Sequence, residues 1–356
     1  MNLTAVRVIT VLELRQRIRS TRWKWSALAL FALISAIVFA SLYLATLDSG
    51  TYTEWSRELL TIALGTVLFV GMIGAPAISA ATINGDRREA TLAVVQATPI
   101  TAWELTLGKF LGAWLASLIF IVLASPYLIW GVVSAPSSIG FSILAIVVTA
   151  LLLGSYCAIG LGFSALSTRP TASTMLTLAT VLLLLVGLPA VFGLALPSTQ
   201  REYTVVAADY RWERSPADSD TAPRSTCVDR PQQRTFTHSE RIWWLLTPNP
   251  VLIVADTLAA GTPETHRYWG FGGSPSVPQD GARVLSGARS GEMIAAARCG
   301  DGDFWQMRER YESRFVGRNW YIGLLFTVAV GAAGLLVAAR RLRIPAGKLP
   351  KGVRVA

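Results

Sequence analysis

Long apolar runs separated by short polar connections dominate the chain. Six of them contain no Asp, Glu, Lys, Arg or His: residues 26–46, 59–83, 110–133, 141–166, 172–196 and 320–339. A hydrocarbon core of ~30 Å is crossed by about 20 residues of helix. Backbone groups in lipid must find partners within the segment, so each run predicts a transmembrane helix. The first run is too long for the h-region of a cleavable signal, about 7–15 residues. It reads as a retained span.

The pattern changes at both ends of this first region. In residues 1–25, Val11, Leu14 and Ile18 recur at helical spacing, while Arg15, Arg19 and Arg22 take other faces. Trp23 and Trp25 suit the headgroup level. This predicts an amphipathic helix lying on the membrane. Residues 26–196 then hold spans one to five, with one longer connection at 84–109 between spans two and three. Residues 197–317 are rich in charge, Pro, Gly and Ser, and are long enough for a small domain. Span six follows at 318–340, and 341–356 is a basic tail. The predicted fold class is therefore an all-α integral membrane protein: six spans, an N-terminal interfacial helix and a small extracytoplasmic domain between spans five and six. The stretch at 243–261 is a poor seventh span, because Pro248 and Pro250 break it early and Asp256 ends it. It reads as a short amphipathic or re-entrant piece against the outer leaflet.

Charge sets the sidedness. With six spans, both termini share a face with the 84–109 loop. That face holds Arg7, Arg15, Arg17, Arg19, Arg22 and Lys24, then Arg87, Arg88, Lys109 and Arg169, and the tail's Arg340, Arg341, Arg343, Lys348, Lys351 and Arg354. Its acids are Glu13, Asp86, Glu89 and Glu104. It carries more than the whole formal excess of +10, so the positive-inside rule makes it cytoplasmic. The expected location is the plasma membrane, multi-pass, with both termini inside and 197–317 outside. Anionic membrane lipids account for the basic residues, which removes nucleic acid as the reading of a pI near 9.9. Only 15% of residues are charged and mean hydropathy is +0.46, as a chain mostly embedded in lipid requires.

Candidate chemistry is sparse. A phosphate-binding G-x-x-x-x-G-K-[ST] loop is absent: Gly108-Lys109 has Trp103 at the first glycine position and Phe110 in place of Ser/Thr. The chain is expected not to be an enzyme. Its two histidines, His238 and His266, are isolated, and no metal or cofactor is expected in this chain. The spans lack the carboxylates that ion-coupled transport would use. Of three cysteines, Cys157 lies within span four. Cys227 and Cys299 share the outer block, where a disulfide is permitted and would close a loop of about 70 residues, worth roughly 4 kcal/mol.

The 84–109 connection reads NGDRREATLAVVQATPITAWELTLGK. It holds a helix-length segment, a turn at Thr98-Pro99 and a second helix start, with Thr101 and Glu104 in a capping-box pattern. This stretch resembles the loop of ABC-2 type transporter permeases, roughly E-x-G-T-L-E-x-L-L-x-x-P-[IL]-[ST]-x-x-E-[LI]-x-x-G-K. Glu89, Thr91, Leu92, Thr98, Pro99, Ile100, Thr101, Glu104, Leu105, Gly108 and Lys109 match. Ala90 replaces the usual glycine and Ala93 the common acid. The interfacial helix, the six spans and the segment LTPNPVLIVADTLA before the last span are also similar to the family; the outer block is not general to it.

The resemblance implies a permease subunit of an ATP-driven transporter, usually an exporter. Separate cytosolic ATPase subunits would bring the ATP and magnesium, and a second permease, identical or related, would complete the pathway. It assigns ATPase coupling to the loop. There Arg87, Arg88 and Glu89 make polar contacts, Leu92, Val95 and the Thr98-Pro99 turn form the apolar contact, Thr91 is a further coupling residue of the motif, and Glu104 caps the following helix. Positive-inside anchoring explains the arginines equally well. Two roles stay open for the outer block: capping the pathway or recruiting an extracytoplasmic partner. The alternative reading is a non-transporting scaffold or sensor whose outer domain binds a ligand.

Overall fold

The computed structural model describes residues 2–47, 51–88, 100–213, 224–262 and 277–342. Six helical segments in it are long and apolar enough to cross a membrane. Helix α1 (Leu3–Arg19) is followed by α2 (Thr21–Leu47), with Ser20 extended between them. Helix α3 (Tyr52–Ser79) makes most of span two, and α4 (Thr82–Arg88) continues it. Span three is α5 (Ala102–Ser117) followed by α6 (Ile119–Ser134). Span four is α7 (Ile139–Leu166). Span five is α8 (Pro170–Leu182), a π-helical turn at Leu183–Gly187 and α9 (Leu188–Ala195).

Spans two and four form the centre. In them 61% and 67% of the apolar window is buried, against 11% in spans one and five. Leu59, Leu60, Leu64 and Leu68 of α3 meet Leu152, Leu153 and Tyr156 of α7 in one apolar cluster. The last span, α13 (Trp320–Arg341), packs along α7 with backbone nearly touching backbone. A Cβ on Gly162 would lie 2.8 Å from the Gly334 Cα. Small residues at such crossings let dispersion contacts replace the hydrophobic drive that lipid removes.

Between spans five and six the chain forms one antiparallel hairpin, β1 (Gln200–Glu213) with β2 (Arg224–Thr237), Gln200 opposite Thr237 and Tyr210 opposite Cys227. The apolar-run reading did not specify it, because its alternation is mostly polar on both faces. Cys227 and Cys299 are joined by a disulfide, with Cα atoms 5.8 Å apart. Beside that bridge, the Cys299 N–H donates to Asp229 Oδ1 at 2.8 Å and the Ala208 N–H to the Ala297 carbonyl at 2.8 Å.

The segment after the hairpin is not a wholly separate body. Helix α10 (Pro250–Ala260) buries Ile253, Val254 and Leu258 in the same cluster as the spans. Its sequence explains the insertion. Asn249 caps it, accepting from the Val251 and Leu252 N–H groups at 3.0 and 3.2 Å, and Pro250 sits where no N–H is needed. Asp256, fully buried, accepts from the backbone N–H groups of Gly317, Asn319 and Trp320 at 2.7, 2.7 and 2.9 Å. A carboxylate thus caps the start of the last span from a neighbouring helix, where the helix dipole favours negative charge. Burial raises the Asp256 carboxyl above its ordinary pKa, and these three donors oppose the rise. Helix α11 (Val277–Ser290) packs on α10, and α12 (Phe304–Ser313) packs on α11 and completes the block.

Span five shows how a proline is accommodated. Pro189 has no N–H for the carbonyl four residues earlier, that of Leu185. The Asn249 Nδ2 donates to that carbonyl at 2.8 Å, from the same side chain that caps α10.

Candidate functional site at the N-terminal face

Helices α1, α4 and α5 meet at the membrane face where the chain begins. The stem of the 84–109 connection is built from α4 on one side and α5 on the other. The buried side of α1 is Val6, Ile9, Thr10 and Glu13, whereas Val11 and Ile18 are exposed. The helix therefore turns Val11 and Ile18 of the Val11–Leu14–Ile18 stripe away from the protein, leaves Leu14 half-buried, and presents a partly polar face toward α5. Sequence periodicity finds the stripe but not the polar face, which only its partner helix explains.

The contact depends on two glycines four residues apart. A Cβ on Gly108 would lie 2.7 Å from the Ile9 Cβ, and one on Gly112 would lie 2.7 Å from the Glu13 Cβ. At that separation the Thr10 hydroxyl reaches both the Val6 carbonyl in its own helix and the Gly108 carbonyl across the gap, at 2.9 and 3.2 Å. Ile9 joins Ile83, Leu105, Leu161, Ala338 and Leu342 in a second apolar cluster, which ties α1 and α5 to spans two, four and six.

Lys109 follows the first glycine and is 4% exposed. Its ammonium lies 2.8 Å from Glu13 Oε1 on α1 and 2.5 Å from Asp86 Oδ2 on α4. Arg17 stands 3.7 Å from Glu13 Oε2 and donates to the Ile78 carbonyl of α3 at 3.2 Å. Two cations and two anions thus bind α1, α3, α4 and α5 together. A lysine with three donors suits a site of several acceptors at different angles. Buried charges persist only when paired in this way.

Glu104 makes the third tie. One carboxylate oxygen accepts from the Thr101 N–H at 2.9 Å while the Thr101 hydroxyl accepts from the Glu104 N–H at 3.3 Å, the reciprocal capping box. The other oxygen accepts from the Asn2 N–H at 2.5 Å. The residue that starts α5 also holds the start of α1. On the other arm of the stem, the Ile83 and Asn84 N–H groups both donate to Ser164 Oγ at 3.2 Å, and Asn84 Nδ2 donates to Ser173 Oγ at 3.3 Å. That arm is fixed to the end of span four and the start of span five.

Among the sequence-predicted coupling residues, Glu104 is placed in this network. Arg87 and Arg88 lie on α4 by their backbone. Glu89, Thr91, Leu92, Val95, Thr98 and Pro99 fall outside the described residues. Sequence reasoning missed Glu13, Asp86 and Lys109 as a unit. Scarcity was the available signal: this face has many cations and few acids, and three of those acids are spent in the clamp. Mechanically, both arms of the stem are pinned to spans, and α1 is strapped across one of them. A force on the tip would move α4 and α5 with their spans rather than bend the stem.

A family model described as ABC-2 family transporter protein matches residues 7–212. The match includes the whole clamp apart from Asn2. No curated protein is similar enough to the chain to match it.

Proposed function

The chain belongs to the ABC-2 transporter family, and we propose that this permease receives the work of a separate ATPase through the clamped stem and exports its substrate. The observation that carries the reading is the ion cluster of Lys109, Glu13 and Asp86, which makes α1, α4 and α5 one rigid unit at the base of the 84–109 connection. A connection that merely joined two spans would need no buried charges at its root. The apolar runs of the spans carry no Asp, Glu, Lys, Arg or His, so an ion gradient has no evident handle on them.

On this reading the N-terminal face is cytoplasmic. ATP and magnesium belong to the partner ATPase, and this chain is not itself an enzyme. The tip of the connection, with Leu92, Val95 and the Thr98-Pro99 turn, seats in the ATPase, while Arg87, Arg88 and Glu89 make polar contacts beside it. A second permease, identical or related, encloses the pathway. The block after span five faces the extracytoplasmic side.

The test is assembly and coupling in one variant. Leu92→Asp with Glu89→Arg is expected to reduce co-purification of the cytosolic ATPase and to abolish transport, with the permease still folded. Undiminished ATPase capture and transport in that variant would refute the coupling role. Failure of the unaltered permease to capture any ATPase favours the scaffold or sensor reading.

A further inference from the structure

The last span ends at the clamp, where Ala338 and Leu342 join Ile9 and Leu105, so its first residues lie at the opposite face. Beside that start, two arginines and three aromatic rings alternate in one stack. The Arg289 guanidinium carbon lies 4.9 Å from the centre of the Trp243 ring and 4.2 Å from that of Phe315. The Arg314 guanidinium carbon lies 4.8 Å from the Phe315 ring and 4.1 Å from that of Tyr311. Arg289 Nη1 donates to Asn319 Oδ1 at 2.7 Å and to the Arg318 carbonyl at 3.3 Å. Arg314 Nη2 donates to the Ser290 carbonyl at 3.4 Å. These bonds engage one terminal nitrogen of each guanidinium, a group with five N–H donors in a fixed fork. Arg318 is exposed, and its backbone rather than its side chain enters the network.

Other arginines of the block between spans five and six are matched by acids: Arg230 by Asp209, Arg283 by Asp280 and Glu309, Arg308 by Glu292 and Glu312. None of the ion pairs among the described residues takes Arg289, Arg314 or Arg318. The buried Asp256 carboxylate is close enough for Arg289 to act on its charge, but its oxygens are held by the three backbone N–H groups at the start of span six. Positive charge is therefore left over here. Its level is fixed by apolar neighbours. Trp243 packs with Phe192 near the end of span five, and Asn319 directly precedes Trp320, the first residue of span six. Tyr321, Leu325 and Phe326 leave an exposed apolar strip on span six just below Arg318, and Trp244 is exposed beside Trp243. Tyr and Trp favour the depth of the lipid headgroups.

We propose that the head of span six binds an anionic phospholipid, its phosphate on Arg314 and Arg318 beside Arg289 and its acyl chains along Tyr321 and Leu325. Arginine suits phosphate because its planar fork meets two oxygens at once. Stacking on aromatic faces fixes that fork before the ligand arrives. A soluble phosphate would use the cations alone, whereas a lipid also covers the apolar strip beneath them.

The experiment uses the purified full-length permease and needs no ATPase partner. Thermal unfolding is followed in nanodiscs of phosphatidylcholine with a rising share of phosphatidylglycerol, and wild type should gain stability along the series. Arg318→Gln removes an exposed side chain that the fold does not use. It should move the titration to about tenfold more phosphatidylglycerol, the effect of losing a charge-assisted bond. Arg314→Gln with Arg318→Gln should move it further, and Arg318→Lys less than Arg318→Gln. Phosphatidylglycerol bound at the clamp face is common to all these proteins and cancels in the comparison. Native mass spectrometry should find fewer phosphatidylglycerol molecules retained by the double variant than by wild type. Inorganic phosphate, added to wild type in phosphatidylcholine alone, should give no stabilisation. Titrations that coincide for wild type and both glutamine variants, equal lipid retention, or stabilisation by inorganic phosphate equal to that by the lipid overturns the proposal.

Discussion

Replacing Lys109 by Met keeps most of the side-chain volume and removes the charge at the centre of the clamp. The ammonium is 4% exposed as a residue and sits within 2.8 Å of Glu13 and 2.5 Å of Asp86. Removing one partner of a buried ion pair typically costs ~3–5 kcal/mol, because the remaining charge is stranded. Two features reduce that figure here. The Asp86 side chain is 28% exposed and regains some water, and Glu13 keeps Arg17 at 3.7 Å. A loss of about 2–3 kcal/mol follows from discounting the buried-pair figure for this exposure. The assay is unfolding of the detergent-purified protein followed by the fluorescence of its tryptophans. Lys109→Met should melt several degrees below wild type. The triple variant Lys109→Met, Glu13→Gln, Asp86→Asn should recover most of the difference, since neutral hydrogen-bonding groups no longer need a counter-charge. In ATPase-stimulation assays both variants should be impaired, because neither holds α1, α4 and α5 as one unit. If the triple variant melts as early as Lys109→Met, stranded charge is not the cause. If Lys109→Met melts with wild type, the ion cluster does not fasten the helices.

Other parts of the structure give independent expectations. Gly108→Ala should cost about 1–3 kcal/mol by overpacking against the Ile9 Cβ despite alanine's better helix propensity, and Ile9→Ala, which keeps that Cβ, should not restore melting in the double variant. Asn249→Leu removes both the α10 cap and the donor to Leu185, a combined loss of roughly 2–4 kcal/mol in chemical unfolding. Asn249→Asp keeps the cap acceptor alone and should fall between that variant and wild type. Cys227→Ser with Cys299→Ser opens a loop of 72 residues, worth about 4 kcal/mol in the loop-entropy model. Reduction of wild type should reproduce its lower melting temperature, and non-reducing peptide mapping should show the bridge directly.

The spans were legible because lipid imposes a one-dimensional rule: about 20 apolar residues without charge. Such a rule needs no knowledge of neighbours. The capping box at Thr101 with Glu104 was legible for the same reason, being a contact across three residues. What the sequence concealed is tertiary. Glu13 reads as one acid in a basic segment until α5 brings Lys109 against it, 96 positions away. The polar side of α1 contradicts simple amphipathicity because its partner is a protein helix with bare glycine backbone rather than lipid. Asp256 looked like the end of a failed span. Its role appears only when Gly317 and Trp320, more than 60 positions later, present N–H groups to it. The hairpin escaped an apolar-run reading because few of its side chains are buried, Ala207 and Phe236 among them.

The Asn249 contact with Leu185 also has a meaning in time. Span five is synthesised 64 residues ahead of the side chain that completes it. At ~5–20 residues per second, the Leu185 carbonyl enters the membrane several seconds before its donor exists. Span six waits in the opposite sense, since its cap, Asp256, is made before it. The N-terminal clamp has no such delay: α1, α4 and α5 are all complete once the first third of the chain has emerged. Biogenesis therefore closes this protein from one face to the other. A nascent chain arrested after span five should already protect Lys109 from amine-reactive reagents while Leu185 still lacks its partner.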